Sequence, residues 1–252
     1  MLGITLKTKI GLGDGLQFSS LPENYHRTTG QKLLDISKPW FFDHNPFVVR
    51  DENETPDKTI ELWNFPRIRQ WPILRPHKVY LSNAEIHAAM LNVRTFLNRP
   101  RLYKFEDVSF RDRKKIILHT DGKSNGRMPE KVIKHILDKY ESTGYLMQIG
   151  PPTSAVLPGV QRIETPTYWD LAEMISDARL FIGVDSGPSW IASCFPDILV
   201  KVIRLKPTPM ERYEKWVPLE VDNVHSHWDD RCRQMFNTTE DDIGFTYSYR
   251  KL

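Results

Sequence analysis

Apolar and polar positions along this chain follow two rhythms, and they divide it into two halves. The first half opens with an apolar, β-leaning run, Leu2 to Leu6. It reads as strand over 2–9, turn over 10–14 and helix over 15–27. A second short strand is expected at Lys32–Ile36. From Pro39 to Pro76 the chain is rich in proline and aromatic residues and reads as irregular, with an acidic, exposed segment at 51–57. A helix is expected from Asn83 to about Asn98: Ser82 and Glu85 have capping-box spacing, and Arg99-Pro100 ends it. Residues 101–114 are charged and read as a linker.

The second half is more regular. Lys115–His119 is a short apolar run of the kind a buried strand makes. Over Pro129–Ser142 the apolar residues Val132, Ile133, Ile136, Leu137 and Tyr140 recur at helical spacing, with proline suited to the first turn. Gly144 follows, then an expected strand at Tyr145–Ile149, a break at Gly150-Pro151-Pro152 and a strand candidate at Val160–Ile163. A helix over Thr167–Ala178, a strand over Arg179–Val184, a helix starting at Ser189–Cys194 and a strand at Leu199–Leu205 complete the regular part. Strand and helix alternate with short links, which predicts a parallel sheet with helices on both faces. The expected division is residues 1–105 and 106–252, and the fold class is α/β.

Composition narrows the function classes. The chain has 252 residues, enough for two such domains, and its 40% hydrophobic content is that of a globular protein. A net charge of +3 does not by itself call for nucleic acid. Cys194 and Cys232 make neither a zinc set nor a disulfide framework and fit a reducing cytoplasm. No apolar run has the ~20 residues of a membrane span, and the first residues lack signal-peptide order. The expectation is a cytoplasmic protein, with peripheral membrane contact open.

Three segments carry candidate chemistry, each after an expected strand. The first holds Gly11, Gly13 and Gly15 with Asp14 among them. It lacks the final glycine of the dinucleotide fingerprint and the Gly-Lys-Ser/Thr ending of the triphosphate loop. The second, His119 to Arg127, is rich in glycine and hydroxyls and carries Lys123, Ser124 and Arg127. The third is Asp185-Ser186-Gly187-Pro188, running into a helix. In open α/β sheets ligands bind at the carboxyl ends of strands, so the last two together would form a cationic, N–H-lined cup for a diphosphate. Each also has a plainer reading. Asp14 and the Asp185-Ser186 turn suit helix caps, and Lys123 and Arg127 suit surface charges. Tyr168 and Trp169 suit packing at a helix end. His225, His227 and Asp229 have metal-like spacing in a polar tail, where surface groups are the commoner case.

Taken in order, these segments resemble the family 9 glycosyltransferases, whose best-known members are the bacterial heptosyltransferases. The resemblance rests on Gly11–Pro22, on Ile116–Glu130 with Met128 where tryptophan is usual, on Gln148-Ile149-Gly150, and on Leu171–Pro188 with Trp190 where histidine is usual. It is good over 9–22 and 115–195 and poor over 28–112 and after 205. It implies a GT-B-like pair of Rossmann-like domains facing a cleft, the first, acceptor-side domain shortened. It implies a nucleotide-sugar co-substrate, no other cofactor and no metal. Asp14 would be the general base. Gly13, Gly15, Lys123, Ser124, Arg127, Asp185, Ser186 and Gly187 would bind the donor, and Tyr168 and Trp169 would stack on its base. The implied activity is inverting transfer of a hexosyl, heptosyl or pentosyl group to a saccharide or glycolipid. Two alternatives stand beside it: a DNA-modifying glycosyltransferase, for which the basic clusters 67–78, 94–104 and 111–115 speak, and a non-catalytic nucleotide-binding scaffold.

Overall fold

The computed structural model describes residues 1–7, 10–62, 87–88, 91–94, 96, 100–105, 113–122, 126–184, 186–195 and 197–203. The chain divides into two compact units, Met1–Val108 and Ser109–Leu252.

In the first unit, β1 (Leu2–Leu6) lies between β2 (Leu33–Asp35) and β4 (Lys58–Leu62), with β3 (Val48–Val49) beside β2. The order β3-β2-β1-β4 is parallel throughout. The strand expected over 2–9 ends at Leu6. The segment read as irregular from Pro39 contains β3 and β4, and β4 pairs with β1 along five residues. Its pattern hid it: only Leu62 of β4 is fully buried, so the apolar signature of a central strand is missing. The acidic stretch before it is exposed or nearly so, as expected.

The helix after β1 starts earlier than expected. α1 (Leu12–Leu16) passes through a 3₁₀ stretch, Gln17–Ser20, into α2 (Leu21–Thr29). Pro22 explains the change of pitch, because it has no N–H to donate to the Phe18 carbonyl; that carbonyl is taken instead by the Leu21 N–H. Gly30 ends α2 at φ 74°. The helix expected to run to Asn98 stops before Asn92, which has φ 53°. The Val93 N–H bonds the Ala88 carbonyl, a Schellman-type stop with asparagine in the left-handed position. The stretch expected as a linker is tied down at its start: Leu102 and Tyr103 are buried and Tyr103–Phe105 forms a 3₁₀ turn.

Buried Glu23 of α2 is the anchor of that segment. It accepts from Arg101 at 2.8 Å and from the Tyr103 hydroxyl at 2.7 Å, and it pairs with Arg27 at 2.5 Å. Asn24 accepts from the Phe96 N–H, and Ser19 Oγ from the Arg101 N–H.

The second unit is a five-stranded parallel sheet in the order β11-β10-β5-β8-β9. The strands are β5 (Lys115–His119), β8 (Leu146–Ile149), β9 (Gln161–Arg162), β10 (Ala178–Val184) and β11 (Leu199–Ile203). β6 (Asp121–Gly122) and β7 (Gly126–Arg127) form a small antiparallel pair after β5. The helices are α3 (Glu130–Tyr140), α4 (Tyr168–Ser176) and α5 (Gly187–Ala192). Strand parity separates two faces. Ile116, Leu118, Leu180, Ile182 and Val184 pack with Val132, Ile133 and Ile136 of α3 and with Met128, which fills a core position. Ile117, Phe181 and Gly183 point the other way, where α4 and α5 pack on each other and on β10.

Gly183 shows how tightly that second face is built. A Cβ there would lie 2.7 Å from a ring atom of fully buried Phe181 and 3.3 Å from His119 Cβ. Gly183→Ala is therefore expected to cost about 1–3 kcal/mol from overpacking, read as a lower denaturation midpoint at unchanged slope. An unchanged midpoint would mean that the ring has room to move.

Candidate sites at the strand-order reversal of each unit

In each sheet the strand order reverses beside the first strand of that unit. The chain goes from β1 to β2 and β3 on one side, then to β4 on the other. In the second unit it goes from β5 to β8 and β9, then to β10. Crevices outside the carboxyl ends of strands at such reversals are where open α/β sheets bind ligands. The three segments singled out in the sequence leave their sheets at these two places.

In the first unit the Lys7 N–H bonds the Leu62 carbonyl, joining the ends of β1 and β4. Gly11 is the N-cap of α1, in extended conformation, and Asp14 is the third residue of the helix. Asp14 is thus not the cap. Its Oδ2 folds back to 3.2 Å from where a Gly11 side chain would begin. A carboxylate in a first helical turn sits in a favourable electrostatic place. Gly15 is buried, and a Cβ on it would come to 3.2 Å from the Phe41 ring. Its smallness thus makes room for an aromatic ring of the same unit. Gly13 is half-buried in α1.

The next strand end in this unit is held by Asp35. Burial raises its carboxyl above the ordinary range, against the lowering pull of Arg50 and the Lys38 N–H. Arg50 donates from Nε to Asp35 at 2.9 Å and from Nη2 to the Pro39 carbonyl at 2.7 Å, and it also pairs with Asp43. No sequence signal marked this pair, because Arg50 lay in the stretch read as irregular.

In the second unit, β5 ends at His119 and β10 at Val184, and His119 pairs in register with Gly183. Thr120 is buried, and its hydroxyl donates to Asp121 at 2.6 Å. Arg127, on β7, is exposed, 3.8 Å from Glu130. Lys123, Ser124 and Asp185 lie outside the described residues, as do Cys232, His225, His227 and Asp229. Ser186 is the N-cap of α5, yet its side chain does not cap the helix. Its hydroxyl donates back to the Val184 carbonyl at 3.0 Å and lies 3.2 Å from His119 Nδ1. Gly187 opens α5, and Trp190 is half-buried within it.

His119 is a candidate functional residue that the glycine and hydroxyl pattern of its segment does not mark. The signal was there: a titratable side chain as the last residue of an apolar strand. Burial pushes its imidazole down to about 4, against the raising effect of Asp121. The unfolded chain binds this proton near the ordinary value of 6.5, while the folded chain excludes it down to about 4. The associated stability is complete above about pH 6.5 and is lost as pH falls towards 4, roughly 3 kcal/mol in all. The melting temperature of the wild type is expected to fall more steeply over that window than that of His119→Asn. Parallel curves would count against a buried neutral imidazole.

The loop after β8 completes this edge. Buried Gln148 donates to the Ala155 carbonyl at 2.8 Å and accepts from the Leu157 N–H at 3.0 Å. Arg162 donates to the carbonyls of Ser154, Pro151 and Gly150. The loop is therefore held by side chains of the two strands it joins. After β9, Thr167 and Asp170 form a capping box, and Tyr168 and Trp169 make up the first turn of α4, inside the helix expected over Thr167–Ala178. Tyr168 is 52% exposed and Trp169 half-buried, so Trp169 fits the packing role better. Among the described residues no group of three His, Cys, Asp or Glu is placed to hold a metal. No described helix is long and apolar enough to cross a membrane.

No family model and no curated protein matches the chain. Solved structures do. The dodecameric, iron-containing heptosyltransferase TibC of enterotoxigenic E. coli, described in complex with ADP-D-β-D-heptose, aligns at a TM-score of 0.58 and 16% identity. That alignment covers 81% of this chain and 58% of TibC, so the chain spans well under two thirds of that protein's length. A family 9 glycosyltransferase from Veillonella parvula aligns at 0.55 and 14% identity, over 94% of this chain and 97% of its own. The E. coli heptosyltransferase WaaC with ADP aligns at 0.56 and 10% identity, over 94% and 99%. At such identities the likeness is one of fold, and the chain has the α/β, GT-B-like fold of the family 9 heptosyltransferases.

Proposed function

We propose that this protein is a glycosyltransferase that moves a sugar from a nucleotide-sugar donor to an acceptor hydroxyl. One observation carries the reading: in both units the glycine- and hydroxyl-rich segments leave the sheet where the strand order reverses, within a fold shared with enzymes described with ADP-heptose and ADP. In this reading residues 1–105 form the acceptor side and 106–252 the donor side. Asp14 acts as general base. It takes the acceptor hydroxyl's proton as that oxygen attacks the anomeric carbon, and the bond from that carbon to the diphosphate breaks with inversion. Asp185 belongs to the donor-binding set, and Arg127, Lys123, Ser124 and the backbone N–H groups of Ser186 and Gly187 receive the departing diphosphate. Its growing negative charge calls for fixed donors and cations. Gly13 and Gly15 shape the loop that carries Asp14, and Tyr168 stacks on the base. These cations and N–H groups act here without a metal, and the iron of TibC stays a property of that protein. The acceptor is a saccharide or glycolipid, and the place of action is the cytoplasm.

The test is a titration of the purified chain with ADP-, UDP-, GDP- and CDP-sugars, following melting temperature and nucleotide release with and without chelator. One nucleotide is expected to raise the melting temperature and to be released slowly whether or not chelator is present. ADP-sugars come first because of the neighbours. No response to any nucleotide would overturn the reading in favour of a scaffold, and loss of release with chelator would overturn metal independence. In acceptor assays, binding to DNA that falls steeply with salt would move the acceptor to nucleic acid.

A further inference from the structure

The inference deepens the transferase reading and rests on it for its consequence in binding. We infer that His119 is a positioning residue, which locks the turn after β10 to the end of β5 through the hydrogen bond between its Nδ1 and Ser186 Oγ. Three observations carry this. The first is the reach of the bond. It spans 3.2 Å between residues 67 apart in sequence and crosses the strand-order reversal, where the two proposed diphosphate-binding loops part.

The second is the direction of the Ser186 side chain. A serine at an N-cap ordinarily accepts from an N–H of the first helical turn. Ser186 does not; its one hydroxyl hydrogen goes to the Val184 carbonyl, which leaves the oxygen to accept from His119 Nδ1–H. Val184 also accepts from Ser189 Oγ at 2.6 Å. The chain of bonds therefore runs from the imidazole through Ser186 to the last carbonyl of β10, and from there to α5.

The third is the seat of the ring. His119 is 3% exposed and stands opposite Gly183, where any side chain would crowd its Cβ. At 3% exposure the residue offers little surface to a large ligand. Its neutral form supplies a donor to Ser186 Oγ and adds no charge of its own. A group in this place acts through Ser186 and Gly187, by holding the turn that carries them.

The experiment compares four variants of the full chain with the wild type: His119→Leu, which stays apolar and removes the donor; His119→Asn, whose amide can stand in for Nδ1–H; Ser186→Ala; and the double variant His119→Leu/Ser186→Ala. Two readouts are taken, amide hydrogen exchange over residues 186–192 and affinity for ADP, UDP, GDP and CDP, with melting temperature as a control. The single variants His119→Leu and Ser186→Ala are expected to exchange faster over 186–192 and to bind the preferred nucleotide about tenfold more weakly, the usual scale of one lost hydrogen bond. The double variant is expected to be no worse than either single one, and His119→Asn to behave as wild type. The inference is overturned if exchange over 186–192 is unchanged in both single variants, if their effects add, or if asparagine fails to rescue. If the wild type binds none of the four nucleotides, the transferase reading falls, and the exchange comparison alone decides whether the lock exists.

Discussion

Asp14→Asn is expected to lower turnover by about 10²–10⁴-fold while leaving the KM for the sugar nucleotide close to that of the wild type. Asparagine keeps the shape of the side chain and suits a first helical turn. It cannot take a proton. Asparagine at the third residue of α1 keeps an acceptor oxygen in the same place, so the melting temperature should change little. That separates the chemical role from a structural one. If turnover stayed the same, proton removal would belong to another group. If turnover and melting temperature fell together, Asp14 would be a structural residue whose fold over Gly11 holds the loop. Steady-state kinetics with the donor found in the nucleotide titration, beside a thermal melt, decides among the three.

The second large effect is on stability. Glu23→Ala is expected to destabilise the first unit by about 3 kcal/mol. Glu23 is 3% exposed, and its removal takes away the carboxylate that the hydroxyl of buried Tyr103 and the guanidinium groups of Arg27 and Arg101 share. Arg27 and Arg101 are 48% and 37% exposed and can turn to water, which keeps the cost at the lower edge of the range for a broken buried pair. Glu23→Gln should lose less, since its carbonyl can still accept from Tyr103. The exposed pair Lys38–Glu52 is the control: removing Glu52 is expected to change stability by well under 1 kcal/mol. Denaturant melts of the three variants check the order. Equal midpoints for Glu23→Ala and the Glu52 control would show that the Glu23 cluster contributes no more than a surface pair.

The elements of the second unit could be read from the chain because their signals are local. β5, β8 and β10 are buried on both faces and show as apolar runs, and α3 shows its inward face at helical spacing. Thr167 and Asp170 are three residues apart, the separation their capping box needs. β4 escaped because it is an exposed strand whose only fully buried residue is its last. The helix stop at Asn92 escaped because asparagine adopts the left-handed conformation only where the following turn closes on it. Met128 stands in a motif position but is a core residue, which its motif alone could not tell.

The same division holds for the candidate site. Propensity, glycine spacing and apolar runs act between residues close in sequence, so they reveal that Asp14, the segment after His119 and the turn before Gly187 each follow a strand. Which strand lies beside which depends on register and strand order, set by packing over the whole sheet. That packing brings His119 to Ser186 across 67 residues and Glu23 to Tyr103 across 80. It also decides that Ser186 turns back to the sheet and that Gly15 makes room for Phe41. Contacts between distant parts of the chain have no signature in either stretch taken alone, because each partner's side chain is chosen by a surface that exists only once the strands are paired.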